Sequence, residues 1–453
     1  MFDLDRSLPT PLPAQIVAGM RGLVANGQLA AGDRVPSTRE LARQLAVSRG
    51  SVVTAYDQLI AEGILVAAQG APTIVHPELP AVKATPVPPR PAGVRARRGP
   101  ELSLKPTSGH AGTIRQAAWR KAWREAADAD REPVDKAGQP GLRWAVAEHL
   151  RLARGMTVNP DSVLVTGGSR EGLLLILMSL GRGLRVGVED PGHPGLRRII
   201  PMAGHQCVDC VTDRSGVVVE KLPGDLDAVL VTPSHRYPLG GAMPAARRTA
   251  LAEWARETGT VVVEDDYFAE LRYRHSPHPP LAAMAPGAPV LALGTFSTLL
   301  STRLSAGYVI ADPINAPLIR ATREVLGMPV SPVTQAAIAA LLNGGHARRN
   351  SRTVHTRLAR RKQVLGDDLI PALTACGATV SEGPGPLSTD LAVSFNTSVG
   401  REWFAGELDS RGVEFGTIDG GESIHLSFGH LSDEDFTRAV DVLTRVGAES
   451  SPH

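Results

Sequence analysis

Arg39, Arg49 and Ser51 fall in a stretch whose boundary signals put them at the starts of helices, where the chemistry on offer is recognition of nucleic acid. Ser37, with Glu40 three residues on, has capping-box spacing and opens a short helix carrying Leu41 and Leu45. Ala46 and Val47 make the turn, and Ser48 caps a second helix whose inner face is Val52, Ala55, Tyr56 and Leu59; Gly63 fits the left-handed position that ends it. Arg49 and Ser51 then lie in the first turn of that helix, from which a major-groove helix presents side chains to base edges. An arginine fork matches the O6 and N7 acceptors of guanine, and Arg39, at the start of the preceding helix, is placed for a phosphate. Ile16, Met20, Leu23 and Val24 give an amphipathic helix over 11–27, and two short strands around Gln69 and Gly70 give a hairpin. The segment therefore reads as a winged helix-turn-helix with a double-stranded DNA operator as its partner.

A second group of candidates lies further along. Gly168 and Ser169 open a helix with unbonded backbone N–H groups, which is an anion site. Cys207 and Cys210 have Cys-x-x-Cys spacing but sit on a strand-like segment, where residues three apart face opposite ways, so a structural role is expected and no metal site. Of 48 basic residues only six are lysines: Lys83, Lys105, Lys121, Lys136, Lys221 and Lys362. No amine nucleophile lies between 221 and 362.

The elements that position these groups divide the 453 residues three ways. Residues 1–76 form the DNA-binding module, with six arginines against six acids. Residues 77–100 hold seven prolines, five basic residues and one acid, a semi-rigid linker in which Arg95, Arg97 and Arg98 can meet phosphates. Residues 101–453 carry a net charge of −2, from an overall +2 less the linker's +4. There, short apolar runs at 163–168, 184–190, 228–233, 261–266, 290–297 and 306–312 alternate with helical segments, predicting a mostly parallel α/β sheet with its working residues at the carboxyl ends of strands. A large lobe is expected over about 157–330, and a small lobe over about 101–156 plus 331–453. No apolar run reaches the roughly 18 residues of a membrane span and the N-terminus lacks a signal pattern, so a cytoplasmic protein without a membrane partner is expected.

Pro11-Leu12, GQLAAGDRVPSTRELA (27–42), VSRGSVVTAYDQLIAEGIL (47–65) and Gly70 resemble the GntR family of bacterial transcription regulators. In that family the positions matching Arg39, Ser48, Arg49, Ser51 and Gly70 approach DNA. The body resembles a fold-type-I aminotransferase through GQPGLRWAVAEHLRLARGM (138–156), VTGGSREGL (165–173), EDPGHPG (189–195), TPSHRYPLGGAMPAARR (232–248), EDDYFAELRYRHSPHPPL (264–281), GTFST (294–298) and LSAGYV (304–309). The combination is similar to the MocR (GabR-like) subfamily, in which an aminotransferase-like domain senses ligands for an attached winged helix.

The family cofactor is pyridoxal phosphate, and the resemblance implies that Asp265 faces its ring nitrogen, Tyr267 its hydroxyl, and Gly168 and Ser169 its phosphate. Tyr237 and Ser297 fall in the same pocket. Four positions depart from the pattern. The Schiff-base lysine is Thr298, the phosphate-binding arginine Ser305, the carboxylate-binding arginine His425, and the ring-stacking aromatic His193. Arg170, Arg236 and Arg303 stand where the pattern usually carries glutamine or glycine; if 303–305 is extended, Arg303 and Ser305 share a face. The alternative is that these arginines pair with Glu171, Asp190 or Asp265. Threonine forms no imine, so neither a covalently bound cofactor nor a catalytic residue is expected. The expectation is a homodimeric regulator with a degenerate pocket for a small anionic effector. Its rivals are an aminotransferase-like enzyme, a regulator that binds pyridoxal phosphate non-covalently, and a DNA-binding protein whose body only dimerises.

Overall fold

In the computed structural model, residues 2–6, 8–68, 71–79, 102–106, 114–128, 133–238, 240–272, 279–383, 388–418 and 421–449 are described. The chain forms two compact units, Met1–Gly99 and Pro100–His453.

In the first unit α1 (Leu12–Ala25), α2 (Thr38–Gln44) and α3 (Arg49–Ala61) are followed by an antiparallel pair, β1 (Leu65–Val66) and β2 (Ile74–Val75). Ser37 caps α2 by accepting the Glu40 N–H at 3.2 Å. Glu40 does not close the expected capping box; its carboxylate goes to Arg43 and to Gln44 Nε2. The turn between α2 and α3 is held by Ala46 at φ +52°, whose carbonyl accepts from Arg6 at 2.6 Å. Gly63 ends the unit's last helix at φ +71°. Ile16, Val17, Met20, Leu41, Val52, Ala55, Tyr56 and Leu59 close the core. The buried Tyr56 hydroxyl donates to the Pro36 carbonyl at 2.7 Å, tying α3 to the entry of α2.

The second unit is built on an eight-stranded sheet. After β3 (Leu102–Ser103), its strands are β4 (Val163–Thr166), β5 (Arg185–Asp190), β6 (Gln206–Asp213), β7 (Gly216–Val217), β8 (Ala228–Val231), β9 (Val261–Asp265), β10 (Val290–Thr295) and β11 (Gly307–Ile310), in the order β4-β11-β10-β9-β8-β5-β6-β7. Strands β5, β6, β8, β9 and β10 run parallel; β11 runs against both its neighbours. Strands β4, β5, β8, β9, β10 and β11 are buried almost throughout because helices cover both faces, whereas β6, towards the edge, is largely accessible. Gly168, His193, Arg236, Asp265 and Thr298 lie at or after the carboxyl ends of β4, β5, β8, β9 and β10, and Ser305 just before β11, all at one end of this sheet. Cys207 and Cys210 lie on β6, both as free thiols and one of them fully buried.

A smaller antiparallel sheet follows, of β12 (Thr379–Glu382), β13 (Asp390–Ser394), β15 (Gly416–Ile418) and β16 (Ser423–Ser427), while β14 (Val413–Glu414) pairs with β3. Only the start of the expected N-terminal contribution to this lobe is found, Leu102 and Leu104. Helices Gln116–Ala126 and Pro140–Arg154 instead share a core with Val163, Val165, Phe296 and Tyr308 of the large sheet, as does Pro332–Asn343. The reason is their apolar stripes. Ala122, Leu142, Ala145 and Val146 join Ile338, Leu341 and Leu342 of Pro332–Asn343 in covering one face of β4 and β11.

The edge that holds the site leaves no room for side chains at β11. A Cβ on Gly307 would stand 2.4 Å from the Gly294 carbonyl oxygen and 3.0 Å from the Gly168 Cα, both backbone atoms. Gly307→Ala should therefore cost about 1–3 kcal/mol in chemical denaturation. Gly141→Ala, in a helix with open space around it, should stabilise by roughly 0.5–1 kcal/mol. Equal effects of the two would contradict this packing.

Candidate functional site

The DNA-facing candidates among the described residues lie at the starts of α2 and α3. Ser48 Oγ accepts the Ser51 N–H at 3.1 Å and lies 2.9 Å from Ser51 Oγ, so both serines are engaged in capping α3. Arg39 and Arg49 are exposed and make no ion pair or hydrogen bond among the described residues, which leaves both guanidinium forks available. Gly70 and the linker arginines lie outside the described residues.

In the second unit the strand ends bring the other candidates together. Asp265 is the last residue of β9, 2% exposed, and its Oδ1 has no hydrogen-bond partner among the described residues. Tyr267, His193, Tyr237 and His235 form a ring cluster beside it: His193 lies 5.4 Å from Tyr237 and 6.2 Å from Tyr267, and His235 lies 5.1 Å from Tyr267, centroid to centroid. His193 Nδ1 accepts the Gly195 and Leu196 N–H groups at 3.1 and 3.3 Å. Burial, then the nearby Arg170 charge, push its pKa down. Ser169 opens the helix Ser169–Leu180 behind Gly168 at φ +107°. Ser305 Oγ donates to the Gly167 carbonyl at 3.0 Å, and Ser297 Oγ meets Thr295 Oγ1 at 2.8 Å, at the same edge. Thr298 is buried, in the short helix Phe296–Leu299.

The three added arginines do not behave as the sequence suggested. Residues 302–303 form a turn instead of an extended run, so Arg303 is exposed and does not share a strand face with Ser305. Arg170 is exposed against Gly195. Arg236 donates to the Asp213 carbonyl at 2.7 Å. Nor does Glu171 pair with Arg170 as the alternative reading had it: it is held by the buried Arg323 at 2.7 and 2.9 Å, a partner whose large sequence separation hid it. His425, in β16, is fully buried with its Nε2 3.6 Å from Asp390 Oδ1.

A charged layer beneath the pocket also escaped the sequence reading, although three consecutive acids ending an apolar strand signal it. Arg154, 3% exposed, pairs with Asp266 and donates to Ser234 Oγ at 3.3 Å. Glu264 accepts the Leu281 and Ala282 N–H groups at 2.9 and 3.2 Å. His149 Nε2 sits 2.8 Å from Glu270. Burial, then the neighbouring Asp266, Glu189 and Glu264 charges, push Asp265 up to about 8 against the single N–H of Tyr267, so the acid keeps its proton at neutral pH.

These residues do not fit a covalently held pyridoxal phosphate. At the position the resemblance assigns to the attachment lysine stands a threonine hydroxyl, and the positions it assigns to the phosphate carry Ser169, Ser305 and backbone N–H groups, with no buried arginine beside them among the described residues. They do present an unsatisfied buried acid among aromatic rings, which suits a flat ligand with a hydrogen-bonding ring atom.

Such a fold and site define a helix-turn-helix regulator head joined to an aminotransferase-like body. Two family models match the chain, Bacterial regulatory proteins, gntR family, over residues 12–75, and Aminotransferase class I and II, over 107–387. The chain is 44% identical over 361 residues to the HTH-type pyridoxine biosynthesis transcriptional regulator PdxR of Corynebacterium glutamicum, covering 80% of this chain and 79% of that one. It is 29% identical over 386 residues to the probable rhizopine catabolism regulatory protein MocR of Rhizobium meliloti, covering 81% and 78%. An archaeal alanine:glyoxylate aminotransferase structure matches the fold with a TM-score of 0.66 at 19% identity, over 77% of this chain and 90% of that one. The chain belongs to the MocR (GabR-like) subfamily of GntR-family transcription regulators. No helix among the described residues is long and apolar enough to cross a membrane.

The buried acid gives a pH signature. An unfolded aspartate ionises near 4, whereas folded Asp265 holds its proton to about 8. Between those values the unfolded state releases a proton that the folded state keeps, so the contribution of Asp265 to stability is lost as pH rises through that window. Asp265→Asn has no proton to lose. Its stability relative to wild type should grow from pH 5 to pH 7.5, by as much as about 1.4 kcal/mol per unit in urea denaturation. A gap that does not widen means that Asp265 is ionised in the folded protein.

Proposed function

We propose that this regulator binds paired operator half-sites as a homodimer, that its aminotransferase-like body supplies the dimer and an effector pocket around Asp265, and that it carries out no transamination. The observation that carries the reading is Thr298, buried at the attachment position with no lysine between 221 and 362 to replace it. A hydroxyl cannot form an imine with an aldehyde, so no residue of this stretch supplies the covalent step. Ser305 and His425 take away two charge-assisted contacts as well, each worth about 1.5–3 kcal/mol. A family with this body and a free DNA-facing helix uses ligand occupancy as a signal, and the unsatisfied Asp265 Oδ1 supports a ligand-binding body over one that only dimerises.

A second reading is favoured by that same oxygen: pyridoxal phosphate, or a vitamer without its aldehyde, held without a covalent bond. The 44% identity to a regulator named for pyridoxine biosynthesis makes pyridoxine and its phosphate the first compounds to titrate. Under either reading the protein works in the cytoplasm, on DNA.

Arg49→Ala should weaken operator binding by about 1–3 kcal/mol and relax one base preference; in a gel-shift series on operator variants, unchanged affinity and selectivity would show that α3 does not read bases. Thr298→Lys supplies the amine, so mixing it with pyridoxal phosphate should change the absorption spectrum where wild type does not. With Ser305 and His425 unaltered, amino transfer from an amino acid should stay at background. Turnover by the variant, or by wild type, would overturn the reading.

A further inference from the structure

Residues 2–6, ahead of α1, are fastened to the first unit at several points. Phe2 and Leu4 pack half-buried against its core, and the Phe2 ring fills the space over Gly19 of α1, where any side chain would collide with it. Gln15, also on α1, holds the backbone of the segment: its Oε1 accepts the Asp5 N–H at 3.0 Å, and its Nε2 donates to the Asp5 and Thr10 carbonyls at 2.9 and 2.8 Å. Short segments at the edge of a domain stay loose unless contacts of this kind tie them down. The residue so delivered is Arg6, which reaches across 40 positions of sequence to donate to the Ala46 carbonyl at 2.6 Å.

Ala46 is the point in the turn between α2 and α3 that most needs holding. Its φ of +52° puts an alanine in the left-handed region, where Cβ crowds the backbone carbonyl. Just beyond it Ser48 caps α3, and Arg49 opens the first turn of that helix. The conformation of Ala46 therefore sets the direction in which α3 leaves α2. Arg6 spends one donor on this task. Its guanidinium has several more N–H groups, the side chain is exposed, and it makes no other hydrogen bond or ion pair among the described residues. An uncommitted part of a cationic fork thus stands beside the start of the helix whose first turn carries Arg49.

We propose that Arg6 contacts DNA: while one N–H holds the Ala46 carbonyl, the rest of the fork meets a backbone phosphate beside the groove that α3 enters. A guanidinium suits this because it serves two acceptors at fixed angles, and its charge strengthens the bond to a phosphate oxygen. Contacts of this kind carry no sequence information and fix the register of a reading helix on the duplex. Arg6 also ties that phosphate to the turn that aims α3, so backbone contact by Arg6 and base readout by Arg49 are linked in geometry. The proposal rests on α3 being the helix that reads DNA and on nothing in the aminotransferase-like body.

The test uses the full chain, a duplex selected by it from a random-sequence pool, and a scrambled duplex of the same length, with affinity measured by fluorescence anisotropy across a salt series. Arg6→Gln should weaken binding to both duplexes alike, by about tenfold at low salt, and should lower the slope of log affinity against log salt by about one, the loss of a single phosphate contact. Arg6→Lys should keep the slope. A role confined to propping the turn would act differently: Ala46→Gly, which relaxes a positive φ, would then rescue Arg6→Gln. Under the proposal the double variant stays weak and its slope stays low. Unchanged affinity for Arg6→Gln, a fall in affinity without a fall in slope, or rescue by Ala46→Gly would each overturn the proposal. Arg49→Ala is the control for the helix itself: it should lose preference for the selected duplex over the scrambled one, and if it does not, the assignment of α3 fails and the Arg6 proposal with it.

Discussion

Three carboxylates in succession, Glu264, Asp265 and Asp266, end a strand buried in the middle of the large sheet. Taking such charges out of water costs several kcal/mol each unless a partner repays it. Much of the surrounding architecture answers that demand. Glu264 receives two backbone N–H groups from the start of the helix Leu281–Met284, and Asp266 receives Arg154, which must reach from the end of Pro140–Arg154. This is why that helix belongs to the large sheet, not to the small lobe: its last buried arginine and its apolar stripe face the same way. Asp265 receives no side-chain partner of this kind, and it answers the demand by keeping a proton.

Arginine serves several different needs in this chain, and burial distinguishes them. Arg154, Arg248, Arg323 and Arg361 are almost wholly buried and spend their donors on carboxylates or carbonyls that no helix or strand satisfies. They are structural, and removing one would leave its partners stranded. Arg39, Arg49 and Arg360 are exposed and uncommitted among the described residues. A composition in which arginine outnumbers lysine sevenfold therefore carries no single functional meaning; the partner of each guanidinium decides.

Local signals made most of the fold legible in the sequence. The caps at Ser37 and Ser48, the left-handed Gly63 and the apolar runs that became β4, β5, β8, β9, β10 and β11 are properties of a few neighbouring residues. Asp265, Tyr267, His193 and Tyr237 were also within reach, because each follows a strand whose end could be read. What stayed hidden depends on residues far apart in the chain. Glu171 chose Arg323 over its near neighbour Arg170, and no spacing rule reports a pair 152 residues apart. Arg303 and Ser305 share a face only in an extended run, and that condition is not met for a different reason: the turn at 302–303 lies just before β11, where a strand pattern gives no sharp boundary.

The contrast between Thr298 and Asp265 bears on how an enzyme scaffold becomes a sensor. Losing an amine nucleophile removes chemistry without disturbing packing, since a buried threonine fills part of the same space. Losing the acid would be different, because Asp265 is wired to the buried charge layer through its neighbours Glu264 and Asp266 and shares their desolvation. The catalytic function can thus disappear by one substitution, while the polar end of the pocket persists as part of the sheet's electrostatic design. A retained acid with an unsatisfied oxygen is then a ready recognition element, and the ligand that satisfies it lowers the cost of burying it. Binding energy of that origin is available to couple occupancy to the body's conformation without any bond being made or broken.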